Sequence, residues 1–97
     1  MKHPMSKFMV LTKDFVANES VVIDLKSHGL GNALGSLIFQ NKTGQSARFL
    51  WQSYDAEKKG YFKEIMNDLG VKVAHYDGFI TVTNGGGVQH LEAELKM

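Results

Sequence analysis

The alternation of apolar and polar positions divides this chain into short segments. Over residues 7–13, Phe8, Val10 and Thr12 fall on one side and Met9 and Leu11 on the other. A strand that is apolar on both sides belongs inside a sheet or beneath a partner. Residues 21–26 read as a second strand, with Val21, Ile23 and Leu25 on one face and Val22, Asp24 and Lys26 on the other. Leu30, Ala33, Leu34, Leu37 and Ile38 then recur at the spacing of one helical face. They predict a helix that begins near Ser27 or His28 and ends before a loop over 41–46. Residues 47–54, with Phe49, Leu50, Trp51 and Tyr54, read as a buried strand. A second helix follows, with Asp55 as N-cap, Phe62, Ile65, Met66 and Leu69 as its buried stripe, and Gly70 at its end.

Residues 71–76 and 79–83 form a hairpin around Asp77-Gly78, a pair suited to a two-residue turn. Pairing Tyr76 with Phe79 sets Val73 opposite Val82 and His75 opposite Ile80 on one face. Tyr76, Phe79, Ala74 and Thr81 take the other. Asn84-Gly85-Gly86-Gly87 reads as a flexible joint. The tail over 88–97 fits two periods: Val88, Leu91 and Leu95 suit a helix, whereas Leu91, Ala93, Leu95 and Met97 suit a strand. Its Glu, Ala, Leu and Lys residues favour the helix.

This order predicts an α+β fold: a two-layer sandwich in which a mixed β-sheet carries helices on one face. A βαβαββ centre spans 20–84, preceded by an N-terminal strand and followed, after the Gly-rich joint, by a C-terminal helix or strand over 85–97. The 97 residues fit a single domain. Apolar and charged contents are those of an ordinary globular chain, which excludes disordered and collagen-like classes. The absence of cysteine excludes disulfides, a thiolate nucleophile, a persulfide carrier and a cysteine-built zinc site. No apolar run approaches the ~18 residues of a membrane span, and no N-terminal run suits a signal peptide, so a cytoplasmic protein is expected.

Ile23-Asp24-Leu25-Lys26 before the first predicted helix, Tyr54-Asp55-Ala56 opening the second, Leu69-Gly70-Val71 closing it and the Asp77-Gly78 hairpin follow in that order. Over about two-thirds of the chain this order resembles, at the level of fold, the small sulfur carriers of SirA/TusA type, and more broadly the C-terminal domain of bacterial translation initiation factor three. The resemblance implies a sheet covered by two helices. It does not bring an activity. The carriers place a Cys-Pro pair at the start of the first helix, where this chain has Ser27-His28-Gly29-Leu30-Gly31-Asn32. A helical tail would also give a thioredoxin-like order, again without that family's cysteines and proline.

The candidate chemistry is sparse. With 11 basic and 10 acidic residues the net charge is +1, which gives no whole-chain case for nucleic acid or membrane binding. The charge is uneven, however: residues 25–54 hold no acid, while Lys26, Lys42 and Arg48 are present. With Trp51 these bases form an aromatic-basic set of the kind that stacks single-stranded nucleic acid, although Phe49 and Trp51 serve equally as core. Gly29, Gly31 and Gly35 follow a strand and open the predicted helix, so Ser27, His28, Gly29 and Gly31 are candidates to hold a phosphate or other small anion. The glycine spacing misses the dinucleotide fingerprint, and turn geometry or close packing explains it as well. The four histidines, His3, His28, His75 and His90, show no metal-ligand spacing. His75 falls on the apolar face of the hairpin as a half-buried histidine. Ser27, His28 and Asp24 lack the geometry of a catalytic triad, and Glu64 and Asp68 read as a solvated helix face. No catalytic residue, metal or cofactor is expected.

The function that remains is a small non-catalytic binding protein: an adaptor, regulator or inhibitor that acts through protein–protein contacts. Phe8, Met9, Val10, Leu11, Leu91 and Leu95 load the two termini with apolar side chains, so they are expected to form the interface of a homodimer by strand addition or tail exchange. The alternatives are a nucleic-acid binder that uses 25–54 and a small-anion receptor at the first helix start.

Overall fold

In a computed structural model, the structure describes residues 7–28, 35–51, 62–76 and 78–96. Eight strands account for most of them: β1 (Lys7–Phe15), β2 (Ser20–Asp24), β3 (Gly35–Asn41), β4 (Ser46–Trp51), β5 (Phe62–Met66), β6 (Val71–Tyr76), β7 (Phe79–Asn84) and β8 (Gln89–Lys96). They make two four-stranded sheets, ordered β1-β8-β3-β4 and β2-β7-β6-β5, with every neighbouring pair antiparallel.

The inner faces of the two sheets share one core. Phe15, Leu37, Phe39, Phe49, Leu91, Ala93 and Leu95 come from the first sheet. Ile23, Val71, Val73, Ile80 and Val82 come from the second, joined by Leu25 just beyond β2. Each of the larger side chains contributes roughly 1.5–3 kcal/mol by leaving water. The chain nests its outer strands: β1 pairs with β8 and β2 with β7, so the first sheet change, from β1 to β2, lies beside the last, from β7 to β8.

The expected α+β fold, with helices on one face of a mixed sheet, is overturned. Among the described residues there is no α-helix, and the only helical element is the 3-10 turn Lys26–His28. The stripe assigned to the first helix runs into β3. There Leu37 and Phe39 are buried while Ile38 is half-buried and Gln40 exposed, a period of two. Phe39 decides it, since a helical reading left this aromatic off the apolar face. Residues 29–34, the rest of that stripe, lie outside the described residues. So do 52–61, which include Asp55 and the start of the second predicted helix. Its later part is β5, where Ile65 packs on the core and Met66 points out to solvent. Gly70 does not end it: β5 stops at Met66, and Gly70 closes the turn into β6, whose framework is Asn67, with its side-chain oxygen accepting from the amides of Leu69 (2.9 Å) and Val71 (3.2 Å). The tail is strand β8, with Leu91, Ala93 and Leu95 buried, so its helical reading fails as well.

Other expectations survive. Ile23 and Leu25 are buried and Val22 is exposed, as the alternation in the second strand requires. The β6–β7 register pairs Tyr76 with Phe79, Val73 with Val82 and His75 with Ile80. Gly78 supplies the positive φ of that turn, at +85°; Asp77 lies outside the described residues.

The loops at one end of the sandwich converge on Asn84, which is fully buried. Its side-chain nitrogen donates to the carbonyls of Val16 (3.0 Å) and Gly87 (2.9 Å). Its side-chain oxygen accepts from the Gly86 amide (3.2 Å) and from Gln89 Nε2 (2.7 Å). The Asn84 backbone donates to Glu19 (2.9 Å) and accepts from Asn18 (2.7 Å). The stretch that reads as a flexible joint in sequence is thus a hydrogen-bonded corner. Asn84→Ala is expected to lower unfolding free energy by about 2–4 kcal/mol, because four bonds to a fully buried side chain vanish together. Asn41→Ala, in the exposed β3–β4 turn, is expected to cost at most about 1 kcal/mol. Urea unfolding of both variants measures the difference, and equal losses would remove the special weight given to Asn84.

Candidate functional site

Strand alternation sends every second residue of the β2-β7-β6-β5 sheet away from the core. On that outer face the register aligns Asp24, Phe79 and Tyr76 in one row, with Phe62 next in register on β5. Val22, Thr81, Ala74 and Glu64 make the second row, and Ser20, Thr83, Lys72 and Met66 the third. Tyr76 (51 %), Phe79 (40 %), Val22 (63 %) and Met66 (60 %) are exposed there. They are half of the large hydrophobic side chains that stand exposed among the described residues, and Tyr76 and Phe79 are direct cross-strand neighbours. Aromatic pairs in that position prefer to be covered.

The charges around this patch are largely engaged within the chain. Lys72 Nζ lies 3.8 Å from Glu64 Oε2. The Asp24 carboxylate accepts the backbone amides of Lys26 (3.0 Å) and Ser27 (3.4 Å). Lys26 Nζ sits 5.6 Å from the centre of the Phe79 ring, a cation–π distance. Ser20 and Thr83 share a hydroxyl bond of 2.7 Å. Two acids thus answer two bases across a face that is otherwise apolar and hydroxylic.

The aromatic-basic set expected over 25–54 is not gathered on one surface. Lys26 belongs to the second sheet, beside Phe79. Arg48 is exposed on β4 of the first sheet, in register with Ile38. Lys42 lies in the β3–β4 turn, and Trp51 is the last residue of β4, opposite Gly35. At the expected anion site, the 3-10 turn brings Ser27 and His28 after Lys26, while Gly29 and Gly31 lie outside the described residues. The amides of Lys26 and Ser27, which an anion would need, already serve Asp24. The Ser27 hydroxyl donates to the Asp24 carbonyl (2.8 Å).

The residues expected at a terminal interface divide. Phe8 pairs with Leu95 in the β1–β8 ladder. Val10, at the bulge between Met9 and Leu11, and Leu11 itself pack partly against the core. Leu91 and Leu95 are fully buried inside this chain, so they offer no surface to another. Met9 alone of the side chains described in that set is exposed, on the outer face of the first sheet. There it lines a shallow open groove of about 50 Å³ with Ile38, Gln40, Glu92 and Glu94.

Beside that groove His90 stands between two carboxylates. Its Nδ1 is 2.6 Å from Asp14 Oδ1 and its Nε2 is 3.3 Å from Glu92 Oε2. The carboxylates take opposite nitrogens of one ring and do not converge on a common point. Accordingly, no group of His, Asp and Glu suited to a metal occurs among the described residues. The bonds to Asp14 and then Glu92 raise the His90 pKa, against slight desolvation and the charge of Lys42. The bond to His90 lowers that of Asp14. His75 is the opposite case. It is buried in the core, and burial followed by the charge of Lys63 pushes its pKa down. Lys63 crosses from β5 to the other sheet, where its Nζ donates to the Leu50 carbonyl (2.6 Å) and lies 5.2 Å from the Phe49 ring centre. Glu64 and Asp68, expected on a helix face, lie instead on β5 and in the β5–β6 turn.

Tyr76 and Phe79 were legible as a shared face from the hairpin register, but nothing in the sequence marked that face as bare. Knowing that no helix covers them among the described residues required the sheet arrangement. No helix among those residues is long and apolar enough to cross a membrane.

The two histidines predict opposite pH dependences. His90, with its pKa raised, contributes fully below the unfolded histidine value, and this is lost as pH rises through the raised value. Asp14, with its pKa lowered, loses its share only as pH falls through that lowered value. His75, with its pKa depressed, favours the fold above the unfolded value and weakens it as pH falls towards the folded one. Urea midpoints from about pH 5 to about pH 9 should show the alkaline loss flattened in His90→Gln and the acid loss flattened in His75→Leu. Parallel curves for wild type and His90→Gln would show that the ion pair adds nothing.

No protein-family model matches this chain, and neither a curated protein nor a solved structure matches it.

Proposed function

We propose that this chain is a non-catalytic binding module that acts through protein–protein contact, with the outer face of the β2-β7-β6-β5 sheet as its docking surface and a second copy of the chain as the occupant. The exposed Tyr76–Phe79 cross-strand pair carries this reading, with Val22 and Met66 on the edge strands of the same face. Aromatic side chains and methionine are enriched at protein interfaces, where charged groups are depleted from the centre. Tyrosine and phenylalanine add large contact area at little conformational cost.

Charge favours a second copy over a nucleic acid. A phosphate backbone asks for an excess of bases, whereas Asp24 and Glu64 balance Lys26 and Lys72 here. A neutral apolar face with its charges at the margin can meet itself across a twofold axis, where each patch must be its own complement. Cytoplasmic residence belongs to the same reading, since a cysteine-free chain of this kind relies on packing and hydrogen bonding in place of disulfides.

Light scattering and sedimentation equilibrium of the wild type at micromolar concentration test the proposal. A dimer is expected. Tyr76→Glu and Phe79→Ser are each expected to weaken it by about tenfold to a hundredfold with the melting temperature held within a few degrees. Leu50→Ser, on the other sheet, is expected to leave it intact. A wild type that stays monomeric overturns the reading. Binding of labelled single-stranded RNA that falls steeply with salt and is lost in Phe79→Ser would replace it with nucleic-acid recognition.

A further inference from the structure

Asn84-Gly85 is the only Asn-Gly pair in the sequence. In that pair the glycine amide nitrogen is unshielded by a side chain and can attack the asparagine side-chain carbon. A bond forms between Gly85 N and Asn84 Cγ, the Cγ–Nδ2 bond breaks, and the nitrogen leaves as ammonia after taking up the amide proton. The resulting succinimide is opened by water at either carbonyl, which gives aspartate or isoaspartate. The only co-reactant is water.

We propose that Asn84–Gly85 is the site of spontaneous deamidation in this chain, held unreactive by the fold and exposed only when the loops around it unlock. Both reacting groups are engaged in the folded protein. The Gly85 amide donates to the Gly70 carbonyl at 2.9 Å. The Asn84 side chain is fixed by four bonds, to the carbonyls of Val16 and Gly87, the amide of Gly86 and the side chain of Gln89. Ring closure requires the Gly85 amide to leave Gly70 and the Asn84 amide group to turn out of its socket. The site is also closed to a bulkier neighbour: a Cβ at Gly85 would lie 2.9 Å from the Gly70 oxygen. The glycine that packs this corner is therefore the one that makes it labile.

The product does not fit the socket. A carboxylate at position 84 accepts hydrogen bonds but donates none, and two of the four partners, Val16 O and Gly87 O, are acceptors. A chain that opens for long enough to react thus returns to a corner where two carbonyls have lost their donor and face a negative charge on a buried side chain. Deamidation makes the opening irreversible.

Peptide mass spectrometry of the full chain, aged in mildly alkaline buffer with and without denaturing urea, tests this. Conversion at Asn84 is expected in urea, ahead of Asn18, Asn32, Asn41 and Asn67, and at least about tenfold slower in native buffer, where it tracks the opened fraction. Gln89→Leu, which removes the bonds from Gln89 Nε2 to Asn84 Oδ1 and to the Leu69 carbonyl, is expected to speed conversion in native buffer. A second measurement needs no variant: in wild type, urea below the unfolding midpoint should raise the rate at Asn84 in step with loop opening. Equal rates in the two states, or earlier conversion of another asparagine in urea, would overturn the proposal.

Discussion

The sandwich depends on how one buried amide is satisfied. Asn84 stands where the chain changes sheets twice. β1 passes into β2 through Val16 to Glu19, and β7 passes into β8 through Gly85 to Val88. Both crossings must leave the ladder, and each frees backbone groups close to the core. A side-chain amide offers two donors and two acceptor sites, and all four are used here on the two crossings and on the first residue of β8. Gln89 extends the link to the β5–β6 turn through the Leu69 carbonyl. A leucine of similar size would fill the volume and satisfy none of these groups, so the corner is held by polarity in a place where the chain could have used packing.

Along a side of the sandwich the join is of another kind. Lys63 lies on the last strand of one sheet and reaches the last strand of the other, with its ammonium both on the Leu50 carbonyl and over the Phe49 ring. A cation over the face of an aromatic ring is attracted by the ring's quadrupole. The same ammonium discourages a proton on His75, which sits opposite Lys63 in register. The outer face of the first sheet works in the reverse sense, because Asp14 and Glu92 hold His90 towards its charged form. The two histidines, on opposite sheets, therefore pull the stability of the fold in opposite directions across the same pH range.

The sequence was most readable where pairing is local and two-sided. The β6–β7 hairpin had a turn signal, alternation on both arms and one register that put Val73, Ile80 and Val82 on one face. It was recovered pair by pair. The same alternation marked Leu91, Ala93 and Leu95, but the high helix propensity of the residues between them outweighed it. Their true partners, on β1 and β3, are fifty or more residues away in sequence. The helices failed for one reason. Leu37 and Ile38, like Ile65 and Met66, are adjacent apolar residues, which a helix places on one face and a strand on two, and only the facing sheet decides which. The functional reading suffered from an assumption of nearness. Lys26 and Arg48 share an acid-free stretch, yet the chain changes sheets between them, so residues close in sequence face away from one another. Tyr76 and Phe79, on the hairpin legible from sequence, are the exposed pair on which the proposed docking surface rests.

The β1–β8 ladder carries a consequence for how this unit can be built into larger proteins. Lys7 pairs with Lys96, at the opposite end of the ladder from Asn84. A polypeptide that enters the domain at the first of these residues and leaves at the other therefore does so at neighbouring points, about 5 Å apart. Strand ends held this close together are the geometry that lets a domain sit within a surface turn of a host without forcing the host's strands apart.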